Sequence, residues 1–159
     1  MDHLCFENHL LFNGYLSYKM DTPEFEIDDE GNPYWVVPLS RKRFGTDVMQ
    51  IDLVLIINPE TGAITEHQAA TVPTWVDRVY TPEILADQVY WWGEYKHGYF
   101  NPSHKDLMEP SGEMVMVYGK GGHCQWYQGM TSKGVDNATV GFILVDSKSK
   151  EAKFYNRVE

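Results

Sequence analysis

The sequence predicts an α+β fold. Antiparallel β-hairpins form one or two sheets, and helices spanning about residues 73–97 pack on one face. Three observations lead there. The apolar runs Leu53-Val54-Leu55-Ile56-Ile57 and Val140-Gly141-Phe142-Ile143-Leu144-Val145 are each followed by a compact polar turn and a shorter return segment. Between them lies a stretch with helical spacing, opened at Pro73 and again at Thr81-Pro82-Glu83. The 159 residues are 43% apolar and 14% aromatic, enough to build a core. A single domain over 1–159 is expected, with repeat units at about 33–80 and 81–156. Trp35, Leu53, Leu55, Ile57, Leu85, Val89, Trp92, Phe142, Leu144 and Phe154 are its expected core.

Taking the elements in order, Met1-Asp2-His3-Leu4-Cys5 lacks the basic opening of a signal peptide, and Leu10-Leu11-Phe12 is too short for its apolar centre. A complete chain is on this reading cytoplasmic; a domain excised from a membrane-associated protein is extracytoplasmic. Acids concentrate from Asp21 to Glu30, where Phe25 and Ile27 alternate with Glu24, Glu26 and Asp28. That alternation fits a solvated edge strand or loop. The second reading is a docking strip for a basic partner, with Asp28, Asp29 and Glu30 among the contact residues.

Glu30-Gly31-Asn32-Pro33 reads as a turn into the β-rich run Tyr34-Trp35-Val36-Val37-Pro38-Leu39, whose Pro38 argues for an edge position or a bulge. The run Leu53 to Ile57 suits a strand covered on both faces. Asn58-Pro59-Glu60-Thr61-Gly62 is a tight turn by composition, and Ala63 to His67 returns as the second arm of a hairpin. Trp75, Val76, Val79 and Tyr80 recur at helical spacing after Pro73. Thr81 suits an N-cap and Pro82 the first helical position. Ile84, Leu85, Gln88, Val89, Trp92 and Tyr95 then trace a stripe that stops at Gly98. Residues 99–112 read as a loop, Met114 to Tyr118 as a short strand, and Lys120-Gly121-Gly122 as a turn. His123 to Met130 is read as a strand, Thr131 to Asn137 as a loop, and Thr139 to Tyr155 as a second hairpin.

The stretches 54–62 and 142–150 superpose at an offset of 88, each an apolar strand, an Asn or Asp, and a polar turn. This reads as an internal duplication, against the alternative that any two hairpins share so general a pattern. The run Val54-Leu55-Ile56-Ile57-Asn58-Pro59-Glu60-Thr61-Gly62-Ala63-Ile64 resembles the hairpin signature of PepSY-type domains, in which an apolar strand leads through Asp or Asn and a Thr-Gly turn into a return strand. In the second copy Lys150 stands in place of the glycine, and the clearest helix lies between the hairpins, whereas that family places it before them. Pro73-Thr74-Trp75-Val76-Asp77-Arg78 together with Gly129-Met130-Thr131-Ser132 also looks like soluble regions of large bacterial membrane-associated proteins. The resemblance implies a binding or regulatory module and no enzyme.

The net charge is −10 and the isoelectric point about 4.9, which argues against direct nucleic-acid coating. No apolar stretch reaches the ~20 residues of a membrane span. Gly119-Lys120-Gly121-Gly122 lacks the P-loop spacing and the helix that would follow it, so it reads as a hairpin turn. Cys5 and Cys124 are read as unpaired thiols. His123 and Cys124 alternate on a strand, which opposes a thiol–imidazole pairing between them. His97 and His104 are the other imidazoles offered to Cys124. His3, Cys5 and His9 lack a metal-ligand spacing. No cofactor and no metal is expected, and a cysteine-dependent enzyme ranks below the binding readings.

The rings from Trp75 to Phe100 exceed what one amphipathic face can bury. Trp91 and Trp92 lie about 100° apart on a helix. Trp75, Trp91, Tyr95 and Tyr99 are therefore the candidate contacts for a protein or peptide partner, with the acidic strip adding attraction. The alternative function is a small acidic phage-type inhibitor or nucleic-acid mimic that binds a basic protein.

Overall fold

The computed structural model describes residues 14–45, 48–94, 107–120, 122–133 and 138–157. The chain divides into two compact units, Met1–Val79 and Tyr80–Glu159, each holding one antiparallel sheet. The expected hairpin architecture is present as two sheets, with a helix in the second unit.

The first sheet comprises β1 (Lys19–Met20), β2 (Glu24–Ile27), β3 (Pro33–Lys42), β4 (Met49–Ile57) and β5 (Ile64–His67). β3 is central, pairing with β4 on one side and with β1 and β2 in tandem on the other. Pro38 therefore sits in an interior strand, against the edge expected for it. It is accommodated because its carbonyl accepts the Asp21 amide at 3.0 Å, where the chain passes from β1 to β2. The missing N–H points into that same gap, so no ladder bond is lost. A register shift follows at Leu39/Ser40.

As the unbroken apolar run implied, β3 and β4 are buried on both faces. Val37, Leu39, Leu55 and Ile57 form one cluster, and Val36, Val54 and Ile56 on the opposite face are equally buried. Trp35 and Leu53 are only half-buried and flank the cluster. A short 3-10 turn (Ala69–Thr71) follows the sheet. The segment 73–80, expected to be helical, is irregular: Val76 donates to the Pro73 carbonyl at 3.2 Å. Val76 and Val79 are buried, so the apolar spacing marks burial without a helix.

Tyr15 donates its hydroxyl to Glu66 on β5. Partial burial, followed by that hydrogen bond and the carboxylate charge, pushes the phenol from near 10 to about 12. Because the folded state holds this proton more tightly, its contribution to stability is complete below pH 10 and is lost as pH rises through about 12. Burial also raises Tyr18 and Tyr80, so an ultraviolet phenolate titration should show several late tyrosines, of which Tyr15→Phe removes the step at about 12. A titration of Tyr15→Phe that still contains this late step would refute the assignment.

In the second unit, α1 (Pro82–Glu94) precedes a meander of β6 (Met108–Tyr118), β7 (Cys124–Ser132), β8 (Thr139–Asp146) and β9 (Ala152–Asn156), paired in sequence order. Thr81 caps the helix by position, its carbonyl accepting Leu85 N–H at 3.1 Å. β6 begins earlier than the loop expected over 99–112 allowed, and its register shifts between Ser111 and Val115. The buried Gln128 side-chain amide donates to the carbonyls of Ser111, Gly112 and Gly129 at 3.1–3.3 Å. Those bonds satisfy carbonyls that the irregular ladder leaves over.

Leu85 and Val89 pack on Met108, Trp126, Met130, Ile143 and Val145, forming the helix-on-sheet core. Trp126 fixes the helix entrance by donating its indole N–H to the Tyr80 carbonyl at 2.9 Å. Along β8 it is Ile143 and Val145 that face the helix. Phe142 and Leu144, expected inside, are half-buried on the other face. There Phe142 lies between Tyr127 (5.2 Å) and Tyr155 (4.9 Å, stacked). Phe154 is half-buried against the core.

The hairpin turns after β4 and β8 share one hydrogen-bond pattern. Asn58 Oδ1 accepts the amides of Glu60 and Thr61 at 2.9 and 3.0 Å, and Asp146 Oδ1 accepts those of Lys148 and Ser149 at 3.0 and 2.7 Å. Gly62 donates to the Asn58 carbonyl at 2.9 Å and Lys150 to that of Asp146 at 3.0 Å. Even the hydroxyls correspond: Thr61 Oγ1 accepts from Ala63 and Ser149 Oγ from Glu151, both at 3.2 Å. The fifth residue is left-handed in each, Gly62 at φ 72° and Lys150 at φ 64°. For a residue with a Cβ that conformation costs about 1 kcal/mol.

Candidate functional site

Helix α1 presents three consecutive exposed aromatic rings. Its line of closest approach to the sheet runs through Leu85, Val89 and Gly93, all buried. At 100° per residue, neighbours of that line fall on its flanks. Tyr90, Trp91 and Trp92 are accordingly 41%, 42% and 40% exposed. Trp92 was expected in the core. It is instead drawn to one flank, where its ring meets Phe154 at 5.4 Å.

On the Tyr90 side, Lys133 forms a 2.7 Å salt bridge with Glu94, one helical turn beyond Tyr90. The same ammonium lies 5.8 Å from the Tyr90 ring centre. Tyr90 and Trp91 pack edge to face at 5.9 Å. The rings are thus held by local contacts while about two-fifths of each stays exposed.

The other sequence-derived candidates are placed elsewhere. Trp75 is half-buried in the first unit, its ring 5.1 Å from Tyr34, whereas Trp91 belongs to the second. Tyr95 and Tyr99 lie outside the described residues. So do Cys5, His3, His9, His97 and His104. Cys124 is buried at the start of β7, and His123, read as part of that strand, lies just before it and is exposed. Among the described residues no group of three or more His, Cys, Asp or Glu is placed to hold a metal ion.

The acidic strip has an unexpected polarity. Its apolar members face out, Phe25 being 47% and Ile27 57% exposed, while Glu26 is 8% exposed. Glu26 accepts the backbone amides of Asp77 and Arg78 at 2.8 and 3.0 Å, and Arg78 also binds Glu24 at 2.7 Å. Asp28 accepts the amides of Glu30 and Asn32 and the side-chain amide of Asn32 at 2.7–3.0 Å. The Asn32 side-chain bond, outweighing slight desolvation and joined by the backbone amides, holds the Asp28 carboxyl below its usual range. Asp29 and Glu30 remain exposed. The strip's charge is thereby divided: Glu24, Glu26 and Asp28 build the fold, and Asp29 and Glu30 face solvent.

A recess opens on the opposite flank of α1, against β8 and β9, with a volume of about 220 Å³. The sequence does not reveal the recess; its one signal there is Lys150, which stands where the first hairpin has a glycine.

No helix among the described residues is long and apolar enough to cross a membrane. Comparison with protein-family models, curated proteins and solved structures finds no match for the chain.

Proposed function

We propose that this chain is a non-catalytic binding or regulatory module whose contact surface for a protein or peptide is the exposed face of α1 around Trp91. The observation that carries the reading is the run of three consecutive rings, each about two-fifths exposed, on a helix whose inward line is already filled. Large rings at the centre of an interface supply most of its binding energy. The net charge of −10 and the exposed Asp29 and Glu30 favour a cationic partner through steering. The resemblance of the 54–64 hairpin to PepSY-type modules supports the same class of role. The inhibitor or nucleic-acid-mimic reading ranks second, because Glu24 and Glu26 of the acidic strip are engaged within their own unit.

Selection from a random peptide library should enrich basic sequences with an apolar anchor. Their affinity should fall about tenfold or more in Trp91→Ala with the circular dichroism unchanged. Neutralising Asp29 and Glu30 together, with Asp28 kept for its turn, should slow association at low salt, an effect that fades as salt rises. If Trp91→Ala unfolds the second unit, the ring belongs to the core and the surface reading fails. It fails equally if peptides bind the variant as well as the parent.

A further inference from the structure

We propose that the recess beside α1 is a binding site for a small amphipathic carboxylate, an aromatic or branched aliphatic acid, with Lys150 as its anion receptor. Leu85, Val89, Ile143 and Val145 form the floor, and Trp92 and Phe154 provide an aromatic wall. The polar side chains at its border are Gln88 and Lys150. An apolar cavity with a cation at its border matches a ligand with an apolar body and one negative charge. At about 220 Å³ it is smaller than the roughly 300–1,000 Å³ that drug-sized ligands occupy. One ring or a short branched chain fits that volume.

The independent observation is the backbone of Lys150. The first hairpin reaches the same turn, with the same backbone-amide bonds and with Gly62 in the left-handed position. The second places a lysine at φ 64°, where glycine would hold the turn without strain. The turn does not require that side chain, but the recess uses it. The Asp146 carboxylate fixes the turn through the amides of Lys148 and Ser149. The Lys150 ammonium rests 5.7 Å from the centre of the Tyr80 ring, a contact that restricts its motion. An ordered cation at an apolar recess loses less freedom on binding than a mobile surface lysine does.

The test uses 3-phenylpropionate and its uncharged counterpart 3-phenylpropanol as probes, with calorimetry or chemical-shift titration on the whole chain. The parent protein should bind the acid about tenfold more tightly than the alcohol. Lys150→Gly should abolish that preference while raising the thermal midpoint by about 3 °C through relief of the left-handed strain. Ala152→Phe, at the exposed rim of the recess, should block both probes. Equal affinity for acid and alcohol in the parent overturns the proposal, as does unchanged discrimination in Lys150→Gly or absence of saturable binding of either probe. A fall in the midpoint of Lys150→Gly would show that the lysine serves the turn, and would overturn it as well.

Discussion

Gly93→Ala should destabilise the second unit by about 3 kcal/mol, the upper end of what overpacking a core ordinarily costs. The reason is the approach of α1 to β6. A Cβ on Gly93 would overlap the backbone carbonyl oxygen of Met108, and would stand 3.1 Å from its carbon and 3.3 Å from Met130 Cε. A backbone carbonyl cannot rotate away as a side chain can, so relief requires the helix to lift. Lifting it uncovers Leu85 and Val89. Gly129→Ala is the control, because its Cβ would meet first the side-chain hydroxyl of Ser111, which can change rotamer. Its cost should stay within about 1 kcal/mol. Denaturant titration followed by tryptophan fluorescence separates the two. A Gly93→Ala midpoint equal to the parent's would refute this helix placement.

Glu26→Ala should cost a similar amount, about 3 kcal/mol, in the first unit. It removes the acceptor of two backbone amides at 2.8 and 3.0 Å together with a charge facing the Arg78 guanidinium. The carboxyl is pulled two ways. Burial raises its pKa, while the amides of Asp77 and Arg78 and the Arg78 charge lower it; burial wins, and the group titrates above its ordinary 4.5. The folded state then holds the proton more tightly than the unfolded chain. Glu26's contribution is therefore full below pH 4.5 and declines as pH rises through the folded value. The stability gap between parent and Glu26→Ala should be widest in acid and narrow towards neutrality. A gap that widens with rising pH would mean that the amides outweigh the burial.

The residues that announced their own geometry were those with local requirements. Asn58-Pro59-Glu60-Thr61-Gly62 predicts its turn because a side-chain acceptor and a glycine are what that backbone needs. Burial direction was less legible. On β8 the two alternating sets, Phe142 with Leu144 and Ile143 with Val145, are equally apolar, so periodicity cannot select the inward one. On β2 the alternation was visible but its sense was not, because the partner of Glu26 lies 51 residues away at Asp77. The segment Glu109-Pro110-Ser111-Gly112 has turn composition yet forms part of β6, held by the Gln128 side chain. Of the candidate site, the aromatic surplus of α1 was readable from composition. The recess was not, because it arises from where the helix touches the sheet.

The order of strands carries a consequence for how the chain reaches this state. Each sheet draws every strand from one contiguous segment, and β6 to β9 pair strictly in sequence. The furthest strand pairing in the first sheet joins Trp35 to Ile57, and the second sheet's strands are linked by consecutive reversals. Loop closure therefore consumes little chain entropy at any step, and the low contact order favours rapid assembly. On a ribosome, β1 to β5 can zip as soon as His67 clears the exit tunnel, before any strand of the second sheet has been synthesised. Vectorial emergence and topology run in the same direction, so the nascent first sheet has no competing partner strand of later sequence to wait for.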